Sequence, residues 1–209
     1  ANQNDRADGA NLWIEGFYGP VVQERTYQEN RLAGDVCHIR VTPLSTSGTH
    51  AVKRRSNNVR DRLLITQNHS RNREIAAIAR QRVEAGRQVL ILVKTTEHAL
   101  QIRYWLPEAI AVFKTATPDR WEQLTRLNIT RPGEQPGYND KQLQEVQEKF
   151  RSRHYMVVIA NSVWFKGKDF PSLDVVVRGD AISTAVANTQ LSGRLSRTYE
   201  GKPYGELID

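Results

Sequence analysis

The chain has 209 residues, 39% of them hydrophobic and 25% charged, and a net charge of +7, so it can bury one good core, or a core with a small appendage, in the manner of an ordinary globular protein. Its one cysteine, Cys37, excludes an internal disulfide and a C-x-x-C metal site. Apolar runs such as Val89–Val93 are too short to cross a bilayer and no signal peptide opens the sequence, so a cytoplasmic setting with no membrane is the expectation.

Residues 1–20 are polar and glycine-rich with no helical period, which predicts a loop. Thr26–Gly34 reads as a short capped helix stopped by glycine, and Val36–Leu44 as a strand with Cys37, Ile39 and Val41 on one face. A Ser/Thr/Gly loop, Ser45–Thr49, then leads into a basic stretch. From Lys53 to Arg87 there are ten Lys/Arg against Asp61, Glu74 and Glu84, which accounts for the whole net charge. Such a concentration fits a phosphate backbone, and equally a pair of helices solvated by arginine. Within it Ile75, Ile78, Ala79 and Val83 keep helical spacing, predicting a helix from Ser70 to Ala85 that Gly86 ends.

Gln88–Thr95, with the run QVLILVKT, is the best candidate for a central strand, and a helix begins after it. Lys94 and Thr95 at that junction could hold a phosphate through side chains and backbone N–H groups; a simple N-cap at Thr96 explains the residues as well. Ala109–Lys114 predicts another strand, Pro118–Leu127 a helix opened by proline, and the Pro-Gly pairs of residues 130–139 a loop. Asp140–Arg151 is an amphipathic helix through Leu143, Val146, Gln147 and Phe150.

Val157–Ala160 and Leu173–Val177 have the continuous apolar character of strands buried on both faces, separated by a loop with Gly167, Asp169 and Pro171. A helix over Gln190–Arg197 would put Gln190, Arg194 and Arg197 on one face. Two guanidiniums so placed repel one another unless an anion stands before them, and a triphosphate suits them. Gly205–Asp209 begins a last strand. Alternating strands and helices predict an α/β fold, a mainly parallel sheet with helices on both faces.

The run Ala160-Asn161-Ser162-Val163-Trp164-Phe165-Lys166-Gly167, continued by Asp169 and Pro171, resembles motif V of the superfamily 2 helicases and translocases. Gln190, Gly193, Arg194 and Arg197 resemble their motif VI. Asn161 departs from the usual threonine, but its amide can still donate a hydrogen bond to a phosphate. The resemblance implies a RecA-like fold over residues 35–209, the second lobe of such an enzyme, behind an inter-lobe linker and lead-in segment over residues 1–34. Asp5–Gly9 and Glu15–Pro20 are similar to the stretch that follows the first lobe in one branch of the superfamily. With Arg71-Asn72-Arg73 they point to DNA repair, recombination and branch-migration enzymes, some of them from phages.

In such helicases ATP binds between two lobes. Arg194 and Arg197 would be the arginine fingers, Gln190 a bridge to phosphate or to the first lobe, and Gly167 a point of close backbone approach. Asp169 would take a ribose hydroxyl or hold motif VI in place. Asn161, Ser162 and Lys166 would face the nucleic acid, as would Lys94 and Thr95 at the motif IV position. Trp164 and Phe165 either stack on a base or pack beneath their loop. No G-x-x-x-x-G-K-[ST] and no D-E-x-[DH] run is present, and the five histidines have no metal spacing. ATP and magnesium would therefore be held mainly by the first lobe of the same polypeptide, and this chain alone would be inactive. The expected partners are DNA and that first lobe. The alternatives are a non-catalytic nucleic-acid-binding module and an RNA-directed helicase lobe.

Overall fold

The chain is described by a computed structural model over residues 25–44, 56–161, 168–181 and 191–209. Six strands form one sheet in the order β1-β6-β5-β2-β4-β3. They are β1 Ile39–Thr42, β2 Val89–Val93, β3 Ile110–Val112, β4 Val157–Asn161, β5 Val175–Arg178 and β6 Gly205–Ile208. Every pairing is parallel, so all carboxyl ends lie along one edge of the sheet. β2 runs between β4 and β5 and is buried at all five positions, which is why its sequence shows no alternation.

Successive residues point to opposite faces, and two cores result. Val89, Ile91, Val93, Ile159 and Val177 face one way, against α3 (His69–Glu84), α4 (Thr96–Trp105) and Leu124 of α5 (Pro118–Arg126). Leu90, Leu92, Val158, Val176 and Leu207 face the other, against Val146 and Phe150 of α6 (Asp140–Arg151) and Leu191 and Leu195 of a helical turn over residues 191–195. Helices on both faces of a parallel sheet are the expected α/β, RecA-like arrangement. Among the described residues no helix is long and apolar enough to cross a membrane.

The remaining elements are short. α1, Tyr27–Leu32, opens on a capping box of Thr26 and Glu29. It is fastened to the lobe by Tyr27, whose Oη donates to the Cys37 carbonyl at 2.9 Å and accepts from the Ile39 N–H at 3.1 Å. The described part of the basic stretch is helical: α2, Asn57–Asp61, runs into a π-helical turn, Arg62–Thr66, and then into α3, capped by Asn68.

Three expected boundaries shift. β1 is an edge strand of four residues whose Val41 is exposed, so Cys37, Ile39 and Val41 do not form a buried face. β5 starts at Val175, and just before it the Asp174 carboxylate accepts the Gln88 N–H at 2.8 Å and Arg153 Nη1 at 3.1 Å. The last helical turn ends at residue 195, short of Arg197. There the Leu195 carbonyl accepts from Lys202 Nζ at 2.8 Å and from the Cys37 thiol at 3.2 Å, and the Ser196 carbonyl accepts the Cys37 N–H at 2.7 Å. Carbonyls taken by side chains and by the lead into β1 cannot continue the helix.

Candidate nucleotide and nucleic-acid site

Parallel α/β sheets bind ligands beyond the carboxyl ends of their strands, and three of the expected residues, Lys94, Thr95 and Asn161, stand there. β2 ends in Lys94 and Thr95. Thr95, not Thr96, is the N-cap of α4: its hydroxyl accepts the His98 N–H at 3.2 Å, so the proposed cap falls one residue earlier. Lys94 Nζ lies 2.6 Å from Asp61 Oδ2 of α2, with both side chains nearly half exposed. Next along α4 comes Glu97, whose carboxylate is almost fully buried. It accepts from Arg62 of the π-helical turn at 3.1 Å, Gln67 at 2.7 Å and Arg120 of α5 at 3.2 Å. Arg62 and Arg120 remain half exposed and, with Lys94, rim a cleft of about 280 Å³.

Asn161, at the end of β4, lines a larger cleft of about 530 Å³ with Lys168, Lys114 and residues of α6. Ser162, Lys166, Gly167 and Gln190, with Trp164 and Phe165, lie outside the described residues.

Arg194 and Arg197 come together with the loop that contains Asp169. Arg194 Nη1 donates to the Lys168 carbonyl, and Arg197 Nη1 meets Asp169 Oδ2 at 2.5 Å. Arg151 of α6 donates to the Asp169 carbonyl at 3.3 Å, and the second carboxylate oxygen of Asp169 is buried with no hydrogen-bond partner. Burial, and then the charge of Arg197, pull Arg194 below the usual guanidinium range, while Asp169 opposes them. Two guanidiniums beside the Asp169 carboxylate form a donor set suited to an anion with several oxygens. Among the described residues no three His, Cys, Asp or Glu side chains converge to hold a metal.

Sequence reasoning passed over a buried polar cluster beneath the same edge. Asn72 of α3 and His98 of α4 are fully buried, with His98 Nε2 3.1 Å from Asn72 Oδ1, and the Asn72 amide donates to the Thr66 carbonyl at 2.9 Å. Arg71 donates to the Gly179 and Arg178 carbonyls at 2.8 and 3.2 Å, tying α3 to the exit of β5. Burial, with Arg71 close by, pushes the His98 imidazole down to about 3, so it is neutral at physiological pH. The helical spacing of Arg71 and Asn72 ahead of Ile75 was the one available signal that they face inward.

No family model matches the chain. In sequence it is similar to the ATP-dependent DNA helicase MPH1 of Candida glabrata, 35% identical over 66 residues, which are 32% of this chain and 6% of that protein. It is likewise similar to the MPH1 helicase of Saccharomyces cerevisiae, 29% identical over 90 residues, 43% of this chain and 9% of that one. The chain thus aligns with less than a tenth of the length of these relatives. In fold it is similar to T4 UvsW, with a TM-score of 0.57 at 15% identity over 83% of this chain and 32% of that one. It is also similar to a putative HsdR subunit of a type I restriction enzyme from Vibrio vulnificus, with a TM-score of 0.59 at 15% identity over 98% of this chain and 37% of that one. The type ISP restriction-modification enzyme LlaBIII, solved bound to DNA, gives a TM-score of 0.56 at 15% identity over 93% of this chain and 13% of that one. At such identities the structural likeness is one of fold. The sequence matches to DNA helicases and the shared lobe agree with the motif resemblance to the second RecA-like lobe of superfamily 2 helicases.

Proposed function

We propose that this chain is the second lobe of an ATP-dependent superfamily 2 DNA helicase or translocase, serving unwinding or branch migration in repair, recombination or replication. The observation that carries this reading is the meeting of Arg194 and Arg197 with Lys168 and Asp169, which joins the two motif-bearing segments at one place. Residues 35–209 form the lobe in this reading, and residues 1–34 lead into it from the first.

ATP would lie against a first lobe that supplies the phosphate loop and magnesium. Arg194 and Arg197 would face its γ-phosphate, where fixed cations are worth most as charge spreads over the transferred group. Asp169 positions Arg197 by the ion pair already present, and exchange of part of that pair for phosphate oxygens would bring the guanidinium into play. Gly167 and Gln190 complete the nucleotide side. Lys94, Thr95 and Asn161, at the carboxyl edge of the sheet, form the nucleic-acid side, to which the motif resemblance adds Ser162 and Lys166.

The test is ATP turnover by the two-lobe protein. Arg194→Ala and Arg197→Ala should each abolish most of it while DNA binding stays close to wild type, because each arginine acts chiefly on the transition state. Wild-type turnover in both variants would overturn the motor reading.

A further inference from the structure

α6 carries a polar side chain on its inward stripe that the motor reading leaves without a role. Gln147 stands on its inward stripe beside Val146 and Phe150 and is only 8% exposed. Its side-chain amide forms no hydrogen bond with any described residue. The amide is not sealed from solvent: it lines the cleft of about 530 Å³ at the ends of β3 and β4, where its donor and acceptor stand open to a ligand.

The rest of the lining has a consistent chemistry. Val112, Phe113 and Leu143 supply apolar walls, and Phe113 is itself fixed between Trp121 and Tyr138, at ring separations of 6.2 and 6.3 Å. Gln144, Gln147 and Asn161 bring amides, each with both a donor and an acceptor. Lys114 and Lys168 stand at the same cleft, and Lys114 is 77% exposed in a loose 3.7 Å pairing with Asp140. Apolar walls, amides able to meet a hydrogen-bonding edge and lysines for flanking phosphates, one of them loosely paired with Asp140, suit a nucleobase on its sugar-phosphate. The volume lies within the range of small-ligand pockets, about 300 to 1,000 Å³.

We propose that this cleft holds an unstacked nucleobase, with Gln147 hydrogen-bonded to its edge. The inference rests on the nucleic-acid reading above and deepens it: the lobe grips a base of the strand as well as its backbone. Gln147 was legible in the sequence only as a glutamine on an otherwise apolar helical stripe.

The experiment compares this chain's binding to a short single-stranded oligonucleotide and to the same strand with one abasic site at its centre. Phosphate count and charge are equal, so the backbone contribution cancels. The intact strand should bind about tenfold tighter, in line with the contribution of one held base. Gln147→Leu, close in volume, should shrink that difference to about twofold or less while leaving the salt dependence of binding unchanged, and its thermal midpoint should not fall, because no hydrogen bond is lost. A deoxynucleoside monophosphate is titrated in parallel. Binding that Gln147→Leu abolishes would support the same base site, filled from free nucleotide rather than from a strand. Equal affinity for both strands, with no mononucleotide binding, would overturn the base site and leave the nucleic-acid reading standing. If neither strand binds even at low salt, the nucleic-acid reading falls, and the base site with it.

Discussion

Arg194 and Arg197 differ in what holds them: one is drawn to a backbone carbonyl and partly buried, the other to a half-exposed carboxylate. Loss of either should cost on the order of 1,000-fold in turnover. Lysine should not restore it, since an ammonium cannot reproduce the planar fork that grips two oxygens. Steady-state ATPase assays on Ala and Lys variants of the two-lobe protein check both statements. A second residue-scale outcome concerns His98. Its imidazole is pushed from an ordinary 6.5 to about 3 by burial, so between those values the unfolded chain takes a proton that the folded chain refuses. Stability is therefore complete above pH 6.5 and falls as pH drops toward 3, by at most about 1.4 kcal/mol per unit. From 6.5 to 4.5 the carboxylates held low, such as Glu108 by Arg80, stay ionised and do not mask it. Urea titrations at pH 7 and 5 should show this loss in wild type and little of it in His98→Gln. The arginines were legible because their spacing alone implies a shared anion. His98 was not, because its burial depends on packing partners far away in the sequence.

Among elements, those with one dominant cause read most directly. The β2 run is apolar throughout because both its faces are covered, and α6 follows its predicted bounds because Asn139 caps it and its inward stripe is regular. The π-helical turn Arg62–Thr66 was invisible, since RLLIT has the composition of an ordinary helix and its extra residue is set by packing. The final helical turn was overdrawn for a related reason: Cys37 and Lys202, which claim its carbonyls, lie in other segments. That contact predicts a sensitive position at the start of β6. A Cβ on Gly205 would sit 2.5 Å from the Leu195 carbonyl oxygen and 2.9 Å from its Cβ, so backbone must shift to admit it. Gly205→Ala should destabilise the chain by about 1 to 3 kcal/mol, as overpacking does, measured as a lower urea midpoint.

At the scale of the molecule, charge is the property read most simply. The net +7 resides in the stretch from Lys53 to Arg87, of which the residues from Arg60 on lie within the described residues and Arg62 lines the cleft beside Lys94. Replacing Arg54, Arg55, Arg60 and Arg62 with Gln should weaken DNA binding and flatten its salt dependence. Each lost phosphate contact lowers the slope of log affinity against log salt by roughly 0.7 to 0.9. An unchanged slope would assign these side chains to solvation or to a protein face. The α/β class and the helices on both faces were legible from alternation. The strand order was not, because parallel strands with similar apolar runs carry no label for their neighbours.

That order has a kinetic consequence. β6 is inserted between β5 and β1, and among the described residues β1 pairs with no other strand. During synthesis β1 emerges before β6 and, among the described strands, has no partner until residues 205–208 follow. Its first ladder bond then closes a loop across nearly the whole lobe, the slowest kind of contact to form. In the interval β5 presents Val175–Val177 as an open apolar edge, a template for pairing with another chain. β6 therefore works as a keystone, and the interval before it docks leaves this lobe open to aggregation.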